Sequence, residues 1–184
     1  MHGLEVPEYG AYESMDWDEP QKGMAAMGSR LDRDVGRLLD QLRSLGLADD
    51  TLVLFSSGNG PHREGGRVPE FFASSGPLRG IKRDLYEGGI QVPFIAWWPD
   101  TIAPSTTSGH PSAFWDFLAT AGEVTGIDVP QTDGMSYLAM LLGEHQASHD
   151  YLYNLQFKIA GPTHPRIGHD ANLYGSSDQR HSGV

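Results

Sequence analysis

Residues 51–62 read TLVLFSSGNGPH. The apolar, partly β-branched run from Thr51 to Phe55 has the pattern of a strand buried on both faces. It ends in a hydroxyl pair, an asparagine between two glycines, a proline and a histidine. Open α/β sheets bind ligands beyond the carboxyl ends of their strands, so Ser56 to His62 stands where a site is expected. Two readings of the local residues stay open. Gly58, Asn59 and Gly60 make a tight turn through positive backbone angles, or Asn59 offers an amide oxygen to a hard divalent cation, which needs several oxygen ligands. The turn is the simpler of the two.

Upstream, Met27, Leu31, Val35, Leu38, Leu39, Leu42 and Leu45 recur at steps of three and four. That period predicts a helix over 24–45 with one apolar stripe, ended by Gly46 in a left-handed conformation. Asp49 and Asp50 then turn the chain into the strand, while residues 1–20 read as an irregular approach. Downstream, glycines at 58, 60, 65, 66, 76 and 80 and prolines at 61, 69 and 77 rule out a long regular element over 57–80. A long loop in a compact domain usually serves a function. Ile90 to Trp98 is a second apolar run, with Pro93 near its start. Ser112 is placed to cap a helix carrying Phe114, Phe117, Leu118, Ala121 and Val124 that Gly126 closes, and 134–142 predicts a further short helix. Helix, strand, crossover, strand, helix predicts an α/β fold with a parallel component. The stretch from about Gln156 has low apolar density and no period, the pattern of a poorly ordered tail.

A formal charge of −11 argues against non-specific binding to nucleic acid or an anionic membrane, because the summed field repels polyanions. The sequence has no cysteine, which excludes disulfides, thiolate metal sites and a cysteine nucleophile within it. No apolar run is long enough to span a bilayer, and MHGLEVPEYG lacks the basic and apolar regions of a signal peptide. The compartment is left open.

GIKRDLYEGG, residues 80–89, is the second informative stretch. Its Lys82 lies between glycine-bearing turns, where a point charge can reach a crevice and meet an oxyanion; the alternative is a solvated lysine beside Arg83 and Asp84. His145 and His149 in HQASH have helical i, i+4 spacing, but no HExxH accompanies them and they read as surface histidines. Trp97, Trp98, Phe114, Trp115 and Phe117, with no basic residues interleaved, read as core.

Taken in order, residues 24–62, 75–99 (SGPLRGIKRDLYEGGIQVPFIAWWP), 112–127 (SAFWDFLATAGEVTGI), 133–143 (DGMSYLAMLLG) and 149–153 (HDYLY) resemble the middle-to-late part of the sulfatase family. The resemblance covers roughly residues 20–153. It implies a partial alkaline-phosphatase-like sandwich, a mixed or parallel sheet flanked by helices, with 1–153 as partial catalytic domain and 154–184 as a divergent tail. It further implies hydrolysis of sulfate esters by a formylglycine, made from cysteine or serine, whose hydrate attacks sulfur beside bound calcium. Preorganised cations suit that chemistry, since a sulfuryl group spreads negative charge over its oxygens.

Carried over residue by residue, Lys82 matches the family lysine that contacts the sulfate, Asn59 matches a calcium ligand of the family's Ser-Asp-Asn-Gly, and His62 matches a histidine frequent after that motif. The departures are as informative. Ser57-Gly58-Asn59-Gly60 has lost the aspartate at Gly58, and with it an oxygen and a charge. Gln91 replaces the usual arginine. No Cys/Ser-x-Pro-x-Arg nucleophile motif occurs, nor the early paired aspartates of the family's metal site, so no catalytic residue is assigned. The expectation is a late segment of a sulfatase, inactive alone; the alternative is a non-catalytic remnant that binds a sulfated ligand or a protein partner. Exposed sheet edges would favour self-association.

Overall fold

The computed structural model describes residues 5–154, so the expectation of a disordered tail lies outside the described residues. The chain divides into two compact units, Met1–Thr106 and Thr107–Val184. The first carries helix α1 (Glu19–Ser44), strand β1 (Val53–Ser56), the single turn α2 (Glu87–Ile90) and strand β2 (Phe94–Trp97); the second carries α3 (Asp116–Thr125) and the short α4 (Leu138–Leu141). This is a mixed α/β architecture with a small sheet.

Helix α1 starts a turn earlier than its apolar period, because Pro20 suits the first turn, where an N–H would lack a partner in any case. Its end is as expected. Gly46 takes φ 67°, which lets the Leu47 amide reach the Leu42 carbonyl at 3.0 Å and the Gly46 amide reach Arg43 at 3.1 Å, satisfying carbonyls that the helix end leaves open. The first two turns of α1 bury Gln21, Gly23 and Ala26, and Gln21 bridges the Gly66 carbonyl and the Val68 amide. Trp17 lies edge-on to both Phe71 and Phe72, with centroids 5.4 and 5.5 Å away, and Tyr12 stacks on it at 5.9 Å. This cluster pins the approach segment to the 3-10 turn Pro69–Phe72.

The expected parallel component is corrected. β1 and β2 pair antiparallel, with Val53 opposite Trp97 and Ser56 opposite Phe94. The long link does not cross to the far end of the sheet: the Gly60 amide donates to the Gly89 carbonyl at 3.0 Å, so the chain leaves β1 and re-enters β2 at one end. β1 is half-buried along its length rather than enclosed on both faces.

In the second unit, Gly126 ends α3 with φ 67° as read from the sequence. The cap at its start is a correction. Ser112 does not serve; Asp116 accepts the Ala113 amide at 2.7 Å and, through its other oxygen, the Met135 amide at 2.9 Å. The aromatic core is corrected too, since Phe114, Trp115 and Phe117 are 62%, 43% and 55% exposed. Here α3 is held by polar contacts instead. Thr120 is buried, donating to the Asp116 carbonyl and accepting the Tyr137 amide.

Candidate anion-binding site

The end of β1 and the Glu87–Ile90 turn approach too closely for side chains between them. A Cβ on Gly60 would stand 1.9 Å from the Gly88 carbonyl oxygen, and one on Gly88 would stand 2.3 Å from that of Gly80. Gly60, Gly88 and Gly89 are all buried. They are glycines because backbone meets backbone there. Contrary to the turn reading, neither Gly58, Asn59 nor Gly60 has a positive φ, and open space surrounds a Cβ built on Gly58.

This contact brings the Lys82 turn beside the SSGNGPH loop. The Lys82 amide donates to the Pro61 carbonyl at 2.7 Å. Asp84 closes the turn, its side chain accepting the Ile81 amide and its own amide donating to the Ile81 carbonyl, each at 2.9 Å. Lys82 Nζ then reaches Glu64 Oε2 at 3.1 Å and Oε1 at 3.4 Å. Arg83 pairs with the same Oε1. Their hydrogen bonds, Arg83 first and Lys82 second, hold the Glu64 carboxyl down at about 2. Lys82 and Glu64 are about a third exposed and Arg83 mostly so.

His62 also lies beside Glu64. Its Nδ1 accepts the Glu64 amide at 3.1 Å, which leaves the ring proton on Nε2. The 3.5 Å approach of Nδ1 to Glu64 Oε2 is therefore not an ion pair. An open cleft of about 450 Å³ runs alongside, lined by Arg63, Glu70, Ser74, Ser75, Ile81 and Asp84.

The structure thus draws Lys82 and His62 together around Glu64. Glu64 and Arg83 were missed in the sequence; HREGG and KRD hold only ordinary charges until the loops meet. Asn59 is half-buried at the same loop, but among the described residues no group of three or more histidines, aspartates or glutamates stands close enough to hold a metal. One neutral amide oxygen does not suit a calcium ion, which takes six to eight oxygens; the described residues do not fit the cation. His145 is exposed, whereas the reading of His149 as a surface histidine is corrected. Its side chain is 12% exposed and its Nε2 lies 2.7 Å from Asp116 Oδ1. HQASH is not helical, so the i, i+4 argument does not apply.

The loop and turn that carry these residues fall inside a match to the Sulfatase family model spanning residues 23–127. The chain belongs to the sulfatase family. It is 35% identical to mouse steryl-sulfatase over 156 residues, 79% of this chain and 22% of that protein. To human arylsulfatase A it is 36% identical over 129 residues, 67% of the chain and 24% of that enzyme. The crystal structure of Ps i-CgsB in complex with k-i-k-neocarrahexaose superposes with a TM-score of 0.72 at 26% identity, covering 84% of this chain and 34% of that one. The chain thus spans about a quarter to a third of these relatives. This places it as a segment of an alkaline phosphatase superfamily fold, and the two antiparallel strands are a part of such a domain. Among the described residues of this sulfatase segment, no helix is long and apolar enough to cross a membrane.

Proposed function

We propose that residues 1–153 are a partial sulfatase catalytic domain, followed by a separate tail over 154–184, and that Lys82 contacts the sulfate group of a sulfate ester with His62 beside it. The observation that supports this is the Lys82 turn. A main-chain bond to Pro61 and close glycine packing set the Lys82 backbone beside the loop that follows β1, where α/β folds bind ligands. A fixed ammonium stabilises negative charge on sulfuryl oxygens without reorganising as the charge shifts. The His62 Nε2–H is a neutral donor for an ester or sulfuryl oxygen. Arylsulfatase A and steryl-sulfatase are named for sulfate esters, and this segment takes its substrate class from that likeness.

The chain carries no nucleophile motif, and we assign it no turnover by itself. Among the described residues, Asn59 is the one it would contribute to a calcium site, and no step is drawn through that ion. The 184-residue protein should release no phenol from an aryl sulfate yet bind that ester in calorimetry, with binding lost in Lys82→Ala. Turnover that Lys82→Ala abolishes would overturn the assignment of inactivity, and binding indifferent to Lys82 would overturn the site.

A second reading, a non-catalytic remnant that binds a sulfated ligand or protein partner, is favoured by Gly58. Open space around its Cβ position supports that reading, since the backbone there does not require a glycine.

A further inference from the structure

The Glu64 carboxylate occupies contacts of Lys82 and Arg83 that an anion at this turn could take. Its two oxygens take both contacts of Lys82 Nζ, at 3.1 and 3.4 Å, and one of them takes the Arg83 guanidinium. The neighbouring Arg63 is engaged elsewhere, on Glu70. Arg83 also sits at φ 79°, a left-handed conformation that non-glycine residues seldom adopt. The closed Ile81–Asp84 turn holds it there and places it next to Lys82 in sequence and on the same carboxylate in space.

We propose that Glu64 is an internal occupant of this cationic cradle, displaced when an anionic ligand binds, and that Arg83 is the second cation which that ligand meets. The inference rests on the Lys82 site proposed above and adds its regulation. A carboxylate and a sulfate monoester each carry one negative charge and offer oxygens to a guanidinium in matching geometry. Exchange of one for the other therefore keeps the local charge balance. It also means that an anion taking these contacts in the wild-type chain must displace Glu64 from them, which weakens its apparent affinity. Partial exposure of the pair makes the exchange feasible, since water can solvate Glu64 once it leaves. It also limits the effect, because exposed ion pairs are individually weak.

The test is calorimetric titration of the full 184-residue chain at fixed ionic strength with two probes, inorganic sulfate and 4-nitrophenyl sulfate. Wild type, Glu64→Gln, Arg83→Gln, Lys82→Ala and the Glu64→Gln/Arg83→Gln double variant are compared. Glu64→Gln should bind sulfate roughly fivefold more tightly than wild type, and the added Arg83→Gln should remove that gain. Glu64→Asp, which keeps the charge but withdraws it by one methylene, should fall between them and carries the comparison if circular dichroism shows Glu64→Gln to be misfolded. Equal affinity of wild type and Glu64→Gln overturns the proposal, as does the absence of sulfate binding by every protein. The outcomes separate the two readings. Equal, Lys82-dependent binding of the ester would leave the proposed function standing and remove the occupant. Tighter inorganic sulfate binding by Glu64→Gln with no binding of the ester would keep the occupant and remove the ester site.

Discussion

The Gly60 amide donates to the Gly89 carbonyl at 3.0 Å, and nothing larger than hydrogen fits on the Gly60 α-carbon, where a methyl would meet the Gly88 carbonyl oxygen at 1.9 Å. Two backbones in contact set the spacing on which the anion site depends. Gly58, two residues earlier, has no such neighbour.

The two glycines should therefore respond oppositely to alanine. Gly60→Ala is expected to destabilise the chain by about 3 kcal/mol or more, as an overpacked contact with rigid backbone on the far side. Gly58→Ala should stay within about 0.5 kcal/mol, as an exposed position with ordinary backbone angles. Urea midpoints of the two variants check this, and similar losses would show that the close approach is not formed.

Glu64 makes stability depend on pH in a defined direction. Its carboxyl titrates at about 2 in the folded chain against 4.5 for the free group. A depressed folded value means that the ionised form is favoured by folding, so the contribution is complete above the free value and is lost as the pH falls from 4.5 towards 2. Glu64→Gln should be less stable than wild type above about pH 4.5 and should converge with it near pH 2. Added salt should narrow the gap, since these groups are partly in water. Denaturation midpoints across this pH range, at low and high salt, read both effects.

Asp116 is an exacting polar position among the described residues of the second unit. At 1% exposure it accepts the Ala113 and Met135 amides and stands against His149. Asp116→Ala leaves two part-buried amide donors without their acceptor and should cost about 2 kcal/mol or more, while His149→Ala, which removes one partner of the carboxylate, should cost about 1 kcal/mol. Backbone hydrogen exchange at Ala113 and Met135 should accelerate in Asp116→Ala and not in His149→Ala.

The apolar face of α1 remains open to water in the isolated chain: Leu31, Leu38 and Leu45 are 55%, 67% and 59% exposed, and Ile95 on β2 is 58% exposed. Contiguous exposed apolar area and unpaired strand edges favour association. The chain is expected to bind a hydrophobic dye and to self-associate with rising concentration in ultracentrifugation. Leu38→Lys and Ile95→Lys together should shift it towards monomer without loss of helical ellipticity. A wild-type monomer at all concentrations would contradict this.

The α1 stripe, the glycine stops at 46 and 126, the two apolar runs and the Lys82 turn were legible in the sequence, because each follows from spacing or residue type within one turn or one strand. The family was legible for the same reason, since its motifs are local and occur in order. Strand direction was not, because it depends on which end of the sheet a long loop returns to, and the Gly60–Gly89 contact settles that. Nor was exposure, for a leucine or phenylalanine at helical spacing reads as core whether or not anything covers it. The charged cluster was hidden most completely. Glu64 and Lys82 lie in separate loops, and neither residue's neighbours in sequence say that a carboxylate and two cations will meet. Only close packing of glycine backbone between the loops brings them within 3.1 Å, and that packing turns ordinary surface charges into a candidate site.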